Sequence, residues 1–327
     1  MLEFQMSWQG FLYKGNKLEN YVHKAVLLEE AVKALITRCD GSYVDCTYGR
    51  GGHSRAIALK LASAGRLLVL DADIEAISHA RNFFTDDSRV VVEHSRFSKI
   101  RELTEKHEFR GLDGVLLDLG VSSPQLDNSA RGFSFQLNGP LDMRFDSSEG
   151  TTAAEWLRDA SEKEIEHVLK NYGEERFSRR ISRALIAARD ASDIETTKNL
   201  SDIVVKSVPS IDRNKHPATR VFQAIRIQIN QELNELSRCL EEVVGLMNSG
   251  GRIVVISFHS LEDRIVKHFF KVKATGDDFP RKFPIKDADI YRPLKIVGKP
   301  VKASEEEIQV NRRSRSAIMR VAEKMPC

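Results

Sequence analysis

No stretch of this 327-residue chain stays apolar for the ~18 residues that a membrane span requires. No membrane partner is therefore expected. The first residues carry Glu3, Gln5 and Gln9, which excludes a signal-peptide apolar core there. Cysteine is scarce: Cys39, Cys46, Cys239 and Cys327 are scattered, with no CxxC pair. That spacing argues against a disulfide framework and a zinc site, and fits a reducing, cytoplasmic setting. HExxH and a clustered His/Cys set are both missing, so no metal is expected. The G-x-S-x-G elbow is missing as well. The tempting Ser257-Phe-His259-Ser260-Leu-Glu262-Asp263 stretch reads better as a strand followed by a Ser260-x-x-Asp263 helix cap than as a hydrolase centre. Charge of one sign is also lacking: 50 Lys and Arg face 47 Asp and Glu, for a net charge of +3. The chain is not a polycation, but its charge is uneven. Between Lys170 and Asn230 there are 12 basic residues against 7 acidic ones, and residues 311–324 add Arg312, Arg313, Arg315, Arg320 and Lys324 against Glu323. Local basic surface suits an anionic partner, although solvated helix faces explain such charge equally well.

What is present begins with a glycine loop. Residues 44–54 read Val-Asp-Cys-Thr-Tyr-Gly-Arg-Gly-Gly-His-Ser, and Asp71 follows an apolar run at 67–70. Glycines at 49, 51 and 52 let a backbone turn tightly and approach a ligand. An acidic side chain about 20 residues further on, at the end of a second strand, can accept hydrogen bonds from ribose hydroxyls. The loop is not a dinucleotide fingerprint, because Ser54 stands where the third glycine belongs. A single-sided adenosine site favours S-adenosylmethionine over NAD. His53 opens the next helix, where it either touches the cofactor or acts as a cap-region residue. Phe97 follows the third strand and either flanks an adenine or belongs to the core.

The first third alternates strand and helix. Helices are expected at 26–36, 53–61, 74–83 and 100–106, and strands at 43–46, 66–70, 89–92 and 115–117. This order predicts an α/β fold with a parallel sheet covered on both faces. Asp45, Asp71, Glu93 and Asp118 fall at or near strand ends, so all four are expected to approach one crevice. The alternation then stops. Residues 124–145 read as a long functional loop, followed by helices at 153–159, 162–171, 177–189 and 201–207, which together make an inserted helical domain. One long helix is expected over 219–247, ended by Gly250-Gly251, then a strand at 252–258. A closing pair is expected from 293–297 and 317–322.

Asp118-Leu-Gly-Val-Ser-Ser-Pro-Gln125 follows the fourth strand, where an acceptor would meet the cofactor's methyl group. A nucleobase amino nitrogen is a poor nucleophile because its lone pair is conjugated into the ring. Oxygen acceptors that grip its N–H bonds, together with an in-line pose, address that problem. Ser122, Ser123 and Pro124 resemble the serine form of an amino-methyltransferase motif, without its second proline and adjacent aromatic. Phe133, Phe135 or Phe145 could supply the missing stacking surface. A plain turn started by Ser-Ser-Pro is the alternative.

Together these stretches resemble the RsmH (MraW) family of ribosomal small-subunit RNA cytosine-N4 methyltransferases. The resemblance is carried by His23–Glu30, Asp45–Ser54, Asp118–Asp127, Arg131–Phe135, Gly139-Pro-Leu-Asp-Met-Arg144, Tyr172–Arg176, His216–Arg226 and Ser257–Lys267, which span about 21–325. It departs at Ala25, where a proline is usual. The resemblance implies a class I S-adenosylmethionine-dependent methyltransferase sheet over 21–126 and 217–327. It also implies a helical substrate-recognition domain over 127–216, and leaves 1–20 as an N-terminal extension. By motif position, Gly51, Gly52 and His53 hold the methionine end of the cofactor, Asp71 the ribose and Phe97 the adenine, with Asp118 and Gln125 completing the pocket. The implied substrate is a cytidine of 16S ribosomal RNA near the peptidyl site, read in an assembled 30S subunit by a monomer or homodimer in the cytoplasm. Ser122, Ser123, Pro124 and Asp142 are the candidates near the reacting amino group, with Arg144 beside them. The rivals are an NAD-linked oxidoreductase, a non-enzymatic ribosome-assembly factor, and an amino-methyltransferase acting on another acceptor.

Overall fold

A computed structural model of the chain describes residues 25–209, 216–276 and 291–326. The expected extension at 1–20 lies outside them. The elements run α1 (Leu28–Leu35), β1 (Ser42–Asp45), α2 (Gly52–Lys60), β2 (Arg66–Asp71), α3 (Ile74–Phe83), β3 (Val90–His94), α4 (Ile100–Lys106) and β4 (Leu112–Asp118). After the sheet's first half come α5 (Ser123–Asp127), α6 (Ala153–Asp159), α7 (Glu162–Asn171), α8 (Ser178–Ala191), α9 (Thr197–Ser207), α10 (Ala218–Asn230) and α11 (Glu232–Leu246). The chain then returns through β5 (Met247–Ser257), α12 (Ser260–Thr275), β6 (Leu294–Ile296), β7 (Val301–Lys302), α13 (Glu305–Val310) and β8 (Ile318–Lys324).

The sheet order is β3-β2-β1-β4-β5-β8-β6, with β7 also paired to β8. Strands β1 to β5 are parallel to their neighbours, and β8 runs antiparallel to β5 and β6. A sheet covered on both faces needs apolar side chains in both directions of the pleat. β2 supplies them: Leu68 and Leu70 enter one core with Val115, Leu117, Ile253 and Val255, while Leu67 and Val69 enter the other with Leu116, Val254 and Ile256. α4, α11 and α12 cover the first face, where Cys46 and Cys239 lie buried as free thiols. α1, α2 and α3 cover the second. The expected closing pair is present as β6 against β8. No described helix is long and apolar enough to cross a membrane.

A third apolar cluster is built by α6 to α9 and the loop before them, through Leu157, Ile165, Leu169, Ile181, Leu185, Leu200, Phe133 and Met143. The apolar face of α10 (Val221, Phe222, Ala224, Ile225) joins this cluster. The face of α11 (Leu236, Cys239, Leu240, Val243) joins the sheet instead. The single helix expected over 219–247 is therefore two helices, broken at Gln231, whose φ of 53° and ψ of 32° are left-handed. One straight helix could not face both cores. Because the break takes only one residue, the apolar spacing of three and four continues across it and conceals it. Gly250 and Gly251 also play a different part from the one expected. The helix has already ended at Leu246, and the glycines sit in an irregularity of β5, where Leu112 pairs with Met247 but Gly114 with Arg252.

Gln231 gives a direct test of this break. Its N–H donates to Gln228 O, and its backbone is one that glycine adopts without cost. Gln231→Gly is expected to change unfolding stability by no more than about 1 kcal/mol. Gln231→Pro, which cannot take a positive φ and loses the N–H, is expected to cost about 3 kcal/mol or more. Urea unfolding of both variants checks the contrast.

Candidate active site

The carboxyl ends of β1, β2 and β4 open into one cleft. Its lining includes Tyr48, Gly49, Gly52, His53, Asp71, Phe97, Asp118, Ser122, Ser123 and Gln125. Two of its glycines have no room for a side chain. A Cβ at Gly51, which has φ of 75°, would lie 2.6 Å from the Tyr48 ring, and one at Gly52 would lie 2.6 Å from Ala25 Cβ. Gly51 is the N-cap of α2 and sits just behind the lining, while Gly52 and His53 face the cleft.

Asp71 is held by two amides. Gly49 N donates to Oδ2 at 2.7 Å and Asp73 N to Oδ1 at 2.8 Å. A carboxylate has about four lone-pair sites, so it keeps acceptors for a further partner. Burial pushes its carboxyl up to about 6. Asp45 is fully buried and does not face the cleft. It accepts from Ser54 Oγ at 2.5 Å and from Thr47 N at 3.1 Å, and burial raises it to about 6. Glu93 is not in the crevice either. It pairs with Lys106 and His107, both at 2.6 Å, to one side of β3. Of the four strand-end acids, Asp71 and Asp118 alone line the cleft; β3 runs on to His94, one residue past Glu93, and Glu93 meets α4 and the chain after it.

Asp118 takes up a special position. Its N–H donates to Thr47 Oγ1 at 2.7 Å, and its Oδ2 lies 3.4 Å from His53 Nδ1. The other oxygen, Oδ1, is buried and receives no hydrogen bond from the described residues. His53 Nε2 donates to Val26 O at 3.1 Å, and burial holds the imidazole down at about 4.

The loop after β4 is better ordered than a bare loop. Ser122 caps α5, Pro124 occupies its first turn behind the lining, and Gln125 Oε1 accepts from Ser122 N at 2.9 Å. Gln125 Nε2 then donates to Asp73 Oδ2 at 2.8 Å, and Arg131 Nη1 donates to the same oxygen at 2.7 Å. Ser123 Oγ is met by Arg313, which also pairs with Asp127 at 3.1 Å. Asp142 is outside the lining. It receives Arg144 Nε, Nη2 and backbone N, at 2.7–3.0 Å, and so shapes its own turn. Of the three candidate stacking rings only Phe145 lines the cleft, stacked on Phe133 at 5.5 Å; Phe135 stacks on His216 instead.

Several lining residues had no sequence signal of this role. Asn230, Glu232 and Glu235 arrive because the chain breaks at Gln231, and Asn311 and Arg313 arrive from the far end of the sequence. Phe258 and Glu262 lie in a stretch that the sequence marks only as a helix start. Even there the cap is shifted by one residue. His259 is the N-cap, and Glu262 accepts from Phe258 N at 2.8 Å, while Asp263 pairs with Arg320 at 2.7 Å and Ser260 donates to Glu174. The ligand atoms of Glu232, His259 and Glu262 come within 4.8 Å of one another, a grouping across the fold that spacing did not show. Two of them have further protein partners: Arg226 grips Glu232 with two bonds at 2.7 and 2.8 Å, and backbone amides hold Glu262, while His259 Nε2 lies 3.1 Å from Glu262 Oε1.

A parallel sheet with strand order 3-2-1-4-5, a glycine-shaped loop after β1 and an acid after β2 defines a nucleoside-cofactor-binding α/β protein of the class I methylase kind. The MraW methylase family matches residues 20–325, and the chain belongs to that family. It is 52% identical over 305 residues to ribosomal RNA small subunit methyltransferase H of Thioalkalivibrio sulfidiphilus, covering 93% of this chain and 97% of that one. It is 49% identical to the protein of that name from Legionella pneumophila strain Paris (93% and 99%) and 50% identical to that of Neisseria meningitidis serogroup B strain MC58 (94% and 94%). An rRNA methylase structure from Streptococcus thermophilus aligns over 91% of this chain and 93% of its own, at 8% identity and a TM-score of 0.41.

The buried acid gives a pH prediction. The folded value of Asp45, about 6, lies above its ordinary 3.8, so its contribution to stability is complete below pH 3.8 and is lost as pH rises through 6. Asp45→Asn removes that loss. Relative to wild type, the variant is expected to gain on the order of 3 kcal/mol between pH 4 and 6, read as the difference between their urea unfolding free energies.

Proposed function

We propose that this chain transfers a methyl group from S-adenosylmethionine to the N4 amino group of a cytidine in small-subunit (16S) ribosomal RNA, near the peptidyl site. The observation that supports it most is the family match over nearly the whole chain, which includes every element that lines the cleft. The cleft fits the cofactor. Asp71 has acceptors left for a ribose diol, Phe97 offers a ring, and Asp118, whose Oδ1 has no donor among the described residues, lines the same cleft. When bound, the cofactor supplies an electrophilic methyl group on a positively charged sulfur.

This chain's own residues then do the rest. Gly51, Gly52, His53, Asp71, Phe97 and Asp118 hold the donor. Gln125 lines the same pocket with one N–H and one acceptor site left for the donor, and its bonds to Ser122 N and Asp73 also set the position of the serine turn. Ser122 and Ser123 are the acceptors nearest an incoming amino group, Pro124 fixes their turn, and Phe145 offers a face for the base. Asp142 acts through Arg144 on the loop. No strong base is needed, because the amino nitrogen becomes acidic once it is alkylated. The exposed Arg179 and Arg180 of α8 and Arg176 before it, with exposed Arg312 and Arg315 flanking the lining residue Arg313 in sequence, suit an RNA backbone, and affinity for it falls steeply with salt. The segment 127–216, whose described helices α6 to α9 pack on α10, is the substrate-recognition unit of this reading. The assembled 30S subunit in the cytoplasm is the proposed substrate.

Labelled S-adenosylmethionine, small subunits lacking the mark and mass spectrometry of the digested nucleosides test this. N4-methylcytidine at one site is the expected result. Tight cofactor binding with no transfer to subunits, free RNA or DNA favours the assembly-factor reading. Ser123→Ala is expected to lower kcat at least about tenfold, the scale of one lost hydrogen bond, with the cofactor Kd unchanged. Unchanged turnover in both Ser123→Ala and Asp142→Ala, with the cofactor site intact, removes these residues from the chemistry.

A further inference from the structure

Ser123 has to hold one direction if its oxygen is to meet an amino group, and its own helix cannot supply that. α5 is five residues long, too short to fix itself without ties to the rest of the fold. Gln125 ties one side of it, through Ser122 N and Asp73. Ser123 stands two residues from Gln125 and so projects from another side of the helix, which it shares with Asp127 one turn on. Arg313 spans that second side: Nη1 donates to Ser123 Oγ, and Nη2 donates to Asp127 Oδ1 at 3.1 Å.

We infer that Arg313 is a positioning residue for the methyl transfer, which fixes the Ser123 hydroxyl toward the acceptor amino group from outside α5. This rests on the reading of Ser123 as an acceptor for that group. A guanidinium can only donate, so Ser123 Oγ accepts on the Arg313 side and its own hydrogen is kept off that side. A second lone pair remains for the cleft.

The backbone that carries Arg313 is well anchored. Its N–H donates to Asn311 Oδ1 at 3.1 Å. The next residue, Ser314, is fully buried and donates to Asn311 O at 2.7 Å. Just before it, Glu307 of α13 accepts Leu27 N at 2.8 Å. Arg313 lines the same cleft as Ser123. Its exposed neighbours Arg312 and Arg315 are left for an RNA backbone, whereas both terminal nitrogens of Arg313 are turned on α5. The role is one of geometry and not of stability. The Arg313 and Asp127 side chains are 40% and 52% exposed, so their ion pair adds little to folding, and its loss leaves the chain folded.

Steady-state methyl transfer to small subunits lacking the mark, by Arg313→Ala, Ser123→Ala and the double variant, tests the inference. Arg313→Ala is expected to lower kcat about tenfold, the scale of one lost hydrogen bond, with the cofactor Kd and the urea midpoint unchanged. In the Ser123→Ala background the same change is expected to lower kcat by less than about twofold, because the group it acts through is gone. Arg313→Lys keeps a donor for Ser123 but loses the two-armed fork, and is expected to recover part of kcat. Losses that multiply in the double variant, an Arg313→Ala kcat equal to wild type, or no recovery in Arg313→Lys overturn the positioning role. A fall in kcat that comes with weaker cofactor binding marks a general support of the fold and overturns it too. So does an effect confined to KM with a shallower salt slope, which assigns Arg313 to a phosphate. Where the double variant is too slow to measure, the Arg313→Lys comparison decides. Full turnover by Ser123→Ala overturns the reading of Ser123 itself, and the inference with it.

Discussion

Asp73 is where the two halves of this protein are joined. It sits just past β2, 3% exposed, and its carboxylate serves three donors. Oδ1 accepts Glu75 N and so caps α3, while Oδ2 accepts both Gln125 Nε2 and Arg131 Nη1. Arg131 in turn donates to the carbonyl oxygens of Arg144 and Phe145. One buried carboxylate thus ties the end of a sheet strand, the serine turn after β4 and the ring-bearing segment of the insertion. A buried, hydrogen-bonded ion pair of this kind is weak evidence for net stability, yet removing one partner costs about 3–5 kcal/mol. Its use here is geometric: it fixes the distance between the cofactor side and the acceptor side of the cleft.

Asn230 makes the complementary tie from the other side. Its side chain donates to Met143 O and Arg226 O and accepts Phe145 N, and its carbonyl accepts from Arg96. The ring of Phe145 is therefore held by its backbone from α10 and from Arg131, and by stacking on Phe133. The left-handed residue that follows, Gln231, turns the chain so that Glu232 and Glu235 enter the cleft while α11 returns to the sheet. The insertion thus packs its apolar cluster on α10, and hydrogen-bonded polar groups in the interior, which demand specific geometry, tie it to the end of the sheet.

Some features are legible in the sequence because their signal is local. The glycine loop, Asp71 and the apolar runs of β2 and β4 each depend on residues close together in the chain, and the bounds expected for α3, α6 and α7 match to the residue. Glu93 shows the limit. Its place at a strand end matched that of Asp71, but which way a strand-end acid points depends on the neighbours packed beside it, here Lys106 and His107. The cap at His259 shows another limit. By type Ser260 is the better cap, yet Ser260 is taken by Glu174 and Asp263 is drawn off by Arg320, a residue 57 positions later.

By itself, the sequence determined the alternating α/β plan, the nucleoside loop and the family, because periodicity and short motifs are written within a few turns of chain. The tertiary structure alone decided the break at Gln231, the arrival of Arg313 at Ser123, the withdrawal of Asp142 into its pair with Arg144, and the opposition of His53 to Asp118. Asp142 turns on a neighbour two residues away, while the others depend on which segments, distant in the chain, the fold brings side by side.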